Sequence, residues 1–483
     1  MGYAIQSMSK TSIQEMLNDP RANMFAMQKS LAAGSGTDAS AYTGGRAITH
    51  ESLEDRIMLM LPQLEEATLY RMLPKRSIYA TVDQWVTETS YGSPWGHAVG
   101  EGLYPNEGTP TLNRMYATVS IYETLCVATN VLLASDNIAS PETIMEQAGI
   151  TNQIQGIDRD MYINDGATLP RRVKGLLGFA CDGTSGVYNL DAGGQYLTTK
   201  APIYGIATNM RTRGAKMTNI LTHPTMQADF AVLYEKNERI FMLETPAKPN
   251  WYVGAQIGGV MTPVGPIEWD GDIFNDIRMS QAPSVPVASP GTVAPSNPTI
   301  TSAIASGSGG NIPAGTYFYG VAAVYENGTS ATVYSSPVTV SEGEIVTLTL
   351  APNDAIATGY YIYRSAINAS NDSDCRFLWQ APLNASATFV DNGFWVPGCT
   401  DLVMADMRPE QYTMQWSQLI PTTKVQTALL GDLQPRFVIA CAAAFRVAKP
   451  KYVAVLRNLL PRNTATGENG LPAWNPLGVT LGS

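Results

Sequence analysis

Residues 140–163, SPETIMEQAGITNQIQGIDRDMYI, decide the fold of this chain. Ser140 can accept a hydrogen bond from an amide of the first turn of a helix. Pro141 suits the first helical position because no donor is needed there, and Glu142 favours the positive end of a helix. The sequence therefore predicts a helix over 141–163.

The apolar residues of this stretch recur at steps of four, three and four, which places them on one face of a rod about 35 Å long. They are Ile150, Ile154, Ile157 and Met161. Two glycines, Gly149 and Gly156, each lower the helix propensity by about 1 kcal/mol relative to alanine. We therefore expect that packing against a partner surface, rather than local preference, holds this helix.

Two strands are predicted upstream of the helix, Ile78–Thr89 and Met115–Thr129, because both segments are rich in β-branched and aromatic residues. Residues 90–114 between them form a loop too long for a tight hairpin, and loops of this size commonly carry function. Leu103, Tyr104 and Trp95 lie in this loop. They are expected to lose water only at an interface, as aromatic interface residues do. A flap folded back on its own domain remains the alternative.

Downstream of the helix, the turn-rich residues 164–178 end in KGLLG, and a helical pattern follows Pro224 in residues 225–243. Residues 257–274 alternate Gly/Pro turns with short apolar pieces, which predicts antiparallel strands. The closing run, residues 437–447 and 452–460, alternates as two paired strands do. If residues 257–274 and 402–460 share one sheet, everything between them is an insertion.

In this order the pieces resemble the major capsid protein of tailed bacteriophages, the Hong Kong 97-type capsid fold, over residues 40–280 and 400–460. The resemblance implies an α+β fold with an N-terminal arm, an extended loop, a peripheral domain built on the spine helix, and an axial domain. The implied boundaries are the arm 1–49, the first part of the capsid-fold domain 50–282, and the closing strands with the C-terminal tail 399–483. Within 50–282 they are a short helix at 50–61, the extended loop 78–129, the spine helix 141–163 and the axial domain 175–282.

The resemblance also implies a function. It predicts a structural protein of a phage head that assembles as hexamers and pentamers into an icosahedral shell around double-stranded DNA. Its partners would be copies of itself, portal and scaffolding proteins, and a decoration protein, in the virion and earlier in the host bacterial cytoplasm. Some members weld their shells through a lysine of the extended loop, but no lysine occurs between Lys75 and Lys174. That cross-link is not expected here.

The composition changes at Ala282 to a Pro/Gly/Ser-rich stretch, interpreted as a linker, and short aromatic and β-branched strands follow. Residues 283–398 therefore predict an inserted all-β sandwich of the immunoglobulin or fibronectin III kind. Residues 281–400 carry seven acids, two arginines and no lysine, a net charge of −5. Such a surface favours outward display on a shell, and a module that only braces the shell is the alternative.

Composition limits the remaining function classes. Charged residues make up 15% of the chain, against about 25% in average soluble domains. Two explanations have equal weight: subunit interfaces, which are depleted in charge, or a β module rich in Gly, Pro, Ser and Thr that dilutes the count of charges. A net charge of −10 argues against gripping nucleic acid through its phosphates, so packaged DNA would be enclosed without specific binding. No signal peptide and no apolar run of 18 residues is seen, and no membrane partner is expected.

No pattern for catalysis, cofactor binding or metal binding is found, and the chain is predicted not to be an enzyme. Five scattered cysteines without a CxxC pair favour neither a disulfide framework nor a zinc site, and they are expected to be buried small apolar residues. His50, His97 and His223 lie in unrelated contexts. Two alternatives stay open: a surface or tail-associated adhesin whose sandwich binds glycans, and a glycosidase built on unpatterned carboxylates.

Overall fold

The computed structural model describes residues 66–92, 98–104, 108–129, 132–133, 140–235, 258–288, 292–353, 355–383, 388–427 and 436–462, together with Trp474 and Pro476. All of them belong to one unit, Pro62–Ser483. The arm expected at 1–49 and the short helix expected at 50–61 lie outside the described residues.

The described chain mixes a few helices with many strands, which confirms the α+β class. Its α-helices of five or more residues are α1 (Thr68–Met72), α2 (Pro141–Ile163), α3 (Leu176–Cys181), α4 (Ala201–Thr212) and α5 (Pro224–Glu235). No described helix is long and apolar enough to cross a membrane.

Helix α2 has the predicted bounds, and its apolar face packs as expected. Ile154, Ile157 and Met161 are buried in the main core, and Ile150 packs against it. Ser140 occupies the N-cap position, but its side chain makes no capping hydrogen bond, so that detail of the prediction is wrong. Packing rather than capping holds the helix.

Strands before the inserted module are β1 (Lys75–Ser77), β2 (Val82–Ser90), β3 (Thr111–Thr118), β4 (Ser120–Val127), β5 (Tyr188–Asp191), β6 (Asn219–Thr222), β7 (Gly259–Thr262) and β8 (Gly265–Gly271). The single strand predicted at 115–129 is divided at Val119. The division has a physical reason: β3 pairs with β2 in a hairpin, whereas β4 pairs with a strand near the C-terminus.

Strands after the inserted module are β20 (Thr400–Ala405), β21 (Met414–Gln426), β22 (Arg436–Val447) and β23 (Val453–Leu459) when counted in chain order. Strands β21 and β22 join β1 and β4 in a four-stranded sheet of order β1-β21-β22-β4. The predicted pairing of residues 437–447 with 452–460 is wrong, because β22 pairs with β21 and β4 while β23 pairs with β20 and β5. Alternation alone does not say which strand is the neighbour.

A six-stranded sheet of order β5-β23-β20-β6-β8-β7 forms a second core with α4 and α5. Strands β7 and β8 pair antiparallel, as predicted for residues 257–274. Strand β8 precedes the inserted residues and β20 follows them, and both lie in this sheet with only β6 between them. Of residues 402–460, only β20 and β23 share this sheet with β7 and β8, because β21 and β22 lie in the four-stranded sheet. The condition set for an insertion is met in part: the chain leaves the sheet at β8 and returns to it at β20.

The inserted residues form an all-β module. Its strands are β9 (Val287–Ala288), β10 (Thr299–Ser306), β11 (Gly315–Tyr317), β12 (Tyr319–Tyr325), β13 (Gly328–Thr329), β14 (Val333–Tyr334), β15 (Val338–Val340), β16 (Ile345–Ala351), β17 (Gly359–Ser365), β18 (Cys375–Pro382) and β19 (Thr388–Asp391). The larger sheet has the order β18-β17-β12-β13-β9 with β14 also on β12, and a smaller sheet has the order β10-β16-β19. Treating the first residues as linker was wrong, because β9 and β10 lie there.

This module shares a core with the rest of the chain. Strands β12 and β18 are buried over almost their whole length, so both faces of the larger sheet are covered. Gln380 Nε2 donates to the carbonyl oxygen of Ile163 at the end of α2, at 2.8 Å. Arg172 bridges Asp160 of α2, at 3.0 Å, and Glu326 of the module, at 3.4 Å. The module is thus packed onto the end of the long helix.

The KGLLG stretch, predicted as a turn, is the start of α3, with Gly175 at its N-cap. A Cβ atom at Gly175 would lie 2.6 Å from the carbonyl oxygen of Asp160, and one at Gly178 would lie 2.5 Å from that of Asn164. The two glycines are therefore needed because α3 crosses the end of α2 in backbone contact. The turn prediction found the glycines but not their reason.

Candidate functional site

The hairpin formed by β2 and β3 is a two-stranded ribbon with its own register. Gln84 lies opposite Tyr116, Val86 opposite Arg114, and Glu88 opposite Leu112. Paired residues of an antiparallel ribbon point to the same face, so these six share one face. The other face carries Trp85 and Met115, which are half-buried. The ribbon therefore has an inner and an outer face.

The outer face lies open to solvent, and its six residues are half apolar and half polar or charged. Val86 and Leu112 are each 63% exposed and Tyr116 is 71% exposed. Beyond the strands, Leu103 and Tyr104 are 70% and 97% exposed. That they lose water at an interface stays a prediction. Trp95 lies outside the described residues. An isolated two-stranded ribbon is marginal in water, and exposed apolar side chains of this kind mark interaction sites.

The root of the hairpin, in contrast, is fixed. Asp83 is buried and accepts a hydrogen bond from Ser417 Oγ of β21 at 2.8 Å. The guanidinium of Arg446 in β22 lies 3.5 Å from Asp83 and 4.6 Å from the Trp85 ring centroid. Burial lowers the pKa of Arg446, and the charge of Asp83 opposes that shift. The hairpin is thus fixed to the four-stranded sheet at one end.

A second apolar surface lies on the four-stranded sheet. Leu125 of β4, Val438 of β22 and Val425 of β21 stand in register across it. Leu125 and Val425 are 59% and 51% exposed, and Ile121 of the same edge strand is 67% exposed. The sequence carries a partial signal for these residues: Ile121, Leu125 and Val127 stand at alternate positions of 120–127, interrupted by Glu123.

The opposite face of this sheet is covered by α2. A Cβ atom at Gly149 would lie 2.6 Å from Ile439 Cδ1 and 3.2 Å from Cys126 Sγ. Gln153 Nε2 donates to the carbonyl oxygen of Tyr122 at 2.7 Å. One face of the sheet therefore belongs to the core, and the face with Leu125 and Val425 is left without a cover among the described residues.

Several titratable side chains are buried where α1, α2 and the end of β8 meet. Asp272 accepts hydrogen bonds from the amides of Leu69 and Phe274 and from the hydroxyl of Tyr162. Asp158 Oδ1 accepts from the amide of Tyr70 at 2.7 Å. Burial, and next the charge of Asp272, raise the pKa of Asp158 well above its ordinary value. Both carboxyl groups are fully enclosed, so a substrate has no access to them.

The chemistry-bearing residues singled out in the sequence are not brought together. Among the described residues, no group of three or more His, Cys, Asp or Glu side chains could hold a metal ion. His223 Nδ1 lies 2.9 Å from Thr225 Oγ1 at the start of α5, and burial lowers the pKa of this histidine. His50 and His97 lie outside the described residues. Cys126, Cys375, Cys399 and Cys441 are buried and free, as expected, while Cys181 is only half-buried.

The chain matches no family model and no curated protein. It is similar to solved structures at low identity. The capsid of a native GTA particle matches at 10% identity and a TM-score of 0.47, covering 88% of this chain and all of that one. The capsid of the cyanophage P-SCSP1u matches at 9% and 0.42, covering 89% of this chain and 97% of that one.

The encapsulin of the holo-SrpI complex from Synechococcus elongatus PCC 7942 matches at 8% identity and a TM-score of 0.42, covering 88% of this chain and 96% of that one. Identities near a tenth and TM-scores below 0.5 leave the function of this chain to be argued from its own surfaces. Two of the three are capsids and the third is an encapsulin.

Proposed function

We propose that this chain is a shell-forming structural protein, the major capsid protein of a tailed bacteriophage. The observation that carries the proposal is the hairpin of β2 and β3. Its root is fixed by Asp83, while its outer face exposes Val86, Leu112 and Tyr116. Exposed apolar side chains of this kind lower the solubility of a single molecule, and they mark a surface that a partner covers. Copies of the same chain are the partner that an assembling shell supplies.

Two surfaces are available for contacts between copies. One is the outer face of the hairpin, and the other is the outer face of the four-stranded sheet around Leu125 and Val425. Fully burying one such side chain is worth about 1.5–3 kcal/mol, and obligate interfaces commonly bury more than roughly 2,000 Å². Several contacts of this size, repeated around a ring, would hold hexamers and pentamers together.

The proposal includes an icosahedral shell that encloses double-stranded DNA without binding it specifically, in keeping with the net charge of −10. Portal, scaffolding and decoration proteins would be its other partners, the virion its location, and the host bacterial cytoplasm the place of assembly. The inserted module, lysine-free and net acidic, is proposed to be displayed on the outer surface. Its packing on α2 favours display from a fixed position rather than from a flexible tether.

The test uses charge placed on the hairpin. Val86→Glu replaces an apolar side chain of the outer face by a second carboxylate beside Glu88, and an interface that buries position 86 can accept it only by desolvating it. Val390→Glu is the matched control, because Val390 is also an exposed strand valine, 48% exposed, but lies on the inserted module. Circular dichroism and thermal unfolding establish first that both variants fold.

Assembly is then followed by mass photometry and negative-stain microscopy, alone and with the scaffolding protein. We expect rings or shells from the parent chain and from Val390→Glu, and a loss of assembly of about tenfold or more, equivalent to about 1.4 kcal/mol, for Val86→Glu. If both glutamate variants assemble like the parent, the hairpin is not a subunit contact. If the parent remains monomeric under all conditions, the proposed function is wrong.

A further inference from the structure

The joint between the inserted module and the rest of the chain contains an aromatic side chain that comes from far along the sequence. Trp474 is fully buried and packs with Val396, Cys399 and Leu460 in a small cluster separate from the main core. Its Nε1 donates to the carbonyl oxygen of Pro397 at 3.1 Å. The chain leaves the inserted module at residues 396–399, and these residues, together with Leu460, thus surround Trp474.

The wall of this socket is shaped for a ring. Gly398 has a φ of +71°, a conformation that glycine adopts without strain. A Cβ atom at Gly398 would lie 2.2 Å from Trp474 Nε1, so any larger residue would fill the space of the indole. On another side the guanidinium of Arg376, in β18, lies 4.6 Å from the ring centroid. A second contact follows two residues later, where the carbonyl oxygen of Pro476 accepts the amide of Ile367 at 3.3 Å.

The socket is held by groups other than its occupant. Arg278 Nη1 contacts Asp401 at 2.5 Å, and its Nη2 donates to the carbonyl oxygen of Val396 at 2.8 Å. Asn458 Oδ1 accepts the amide of Val396 at 2.9 Å, and the amide of Gly398 donates to the carbonyl oxygen of Arg278 at 3.1 Å. The segment at 396–398 is therefore positioned by buried polar contacts that do not include Trp474.

We propose that this socket is a peptide-binding site and that its ligand is the C-terminal segment of this chain, which uses Trp474 as the anchor and latches the inserted module in place. The ligand class is a short uncharged segment with a tryptophan followed two residues later by a proline, as in residues 471–479, LPAWNPLGV. A pocket held by other groups and a fully buried aromatic ring are the features of a hot-spot anchor. Here the ring is fixed by the hydrogen bond from its Nε1 to the carbonyl oxygen of Pro397, and the backbone by the one from the amide of Ile367 to the carbonyl oxygen of Pro476. The latch touches the module through Ile367 and Arg376, and the module's exit through Pro397.

Cys399 reports on the state of the latch. It is fully buried in the same small cluster as Trp474, so the indole ring shields its thiol from alkylating reagents. Burial also raises the pKa of this thiol to about 12, which keeps it in the unreactive protonated form. Cys375, also fully buried but in the main core, is the internal control. Alkylation of each cysteine can be quantified by peptide mass spectrometry on the full-length chain.

In the Trp474→Ala variant we expect alkylation of Cys399 to accelerate by about 100-fold, because loss of the ring raises the equilibrium constant for local opening around Cys399 by that factor. Cys375 should stay protected. A synthetic peptide of residues 471–479 should restore protection of Cys399, and the same peptide with alanine in place of tryptophan should not. Trp474→Phe keeps a ring without the donor and should lie between; it also serves if the alanine variant fails to fold. Equal labelling of Cys399 in parent and variants, or protection that the alanine peptide restores equally well, would overturn the proposal.

Discussion

Gly149 and Gly156 of the long helix α2 give the sharpest test of how the helix packs. Both are glycines inside the same helix, but their surroundings differ. A Cβ atom at Gly149 would lie 2.6 Å from Ile439 Cδ1 and 3.2 Å from Cys126 Sγ, whereas nothing lies within 4 Å of one at Gly156. Gly156→Ala should stabilise the chain by about 1 kcal/mol, the difference in helix propensity.

Gly149→Ala gains the same propensity but must displace Ile439, which is buried against Cys126 and Phe437. Overpacking of a core costs about 1–3 kcal/mol, so the net change should lie between neutral and about 2 kcal/mol destabilising. The difference between the two variants isolates the packing cost, about 1–3 kcal/mol, because the propensity gain cancels.

Urea unfolding of unassembled subunits, followed by circular dichroism, measures both variants at one pH and one temperature. A third variant, Gly149→Ala combined with Ile439→Val, removes the nearest methyl group and should recover part of the loss. Equal stabilisation by both alanines would refute the reasoning, since it would mean that α2 does not press on the sheet at Gly149.

Three further predictions concern buried charge. Because the folded pKa of Asp158 is raised, chiefly by burial and then by Asp272, folding is favoured by protonation and stability falls as pH rises above about 4. Asp158→Asn should therefore be more stable than the parent at pH 7, with the gap closing toward pH 4 in unfolding curves. Asp229, whose pKa burial raises to about 6, should show the same sign between about pH 4 and 6, and Asp229→Asn should flatten that part of the curve. Removing one member of the fully buried pair Arg278–Asp401 should cost about 3–5 kcal/mol, and the double change to Met and Leu should cost less than the sum of the single changes.

Local patterns in the sequence were sufficient for the elements whose causes are local. The spacing of Ile154, Ile157 and Met161 fixed the buried face of α2, and Pro141 fixed its start. The β-branched and aromatic runs indicated that the inserted residues form strands, since short-range alternation reports burial on one side, but they did not locate the short strands β9, β13, β14 and β15. The insertion itself could be stated as a condition on one shared sheet, which β8 and β20 meet and β21 and β22 do not.

What the sequence could not supply depends on partners far along the chain. The break at Val119 exists because β3 and β4 pair with different strands, and no residue at that position signals it. The start of the inserted module looked like a linker because Pro, Ser and Gly surround β10, whose order comes from pairing with β16. The socket for Trp474 was missed for the same reason: Gly398 and Trp474 are 76 positions apart, and only the fold brings them together.

The central claim is that copies of this chain complete one another through the hairpin. The most direct measurement is cryo-electron microscopy of the purified chain assembled with its scaffolding protein. We predict closed shells in which the outer face at Val86 and Tyr116 of one copy is buried against a neighbouring copy. Particles in which that face stays in solvent, or a chain that remains a monomer under every condition tested, would contradict the account.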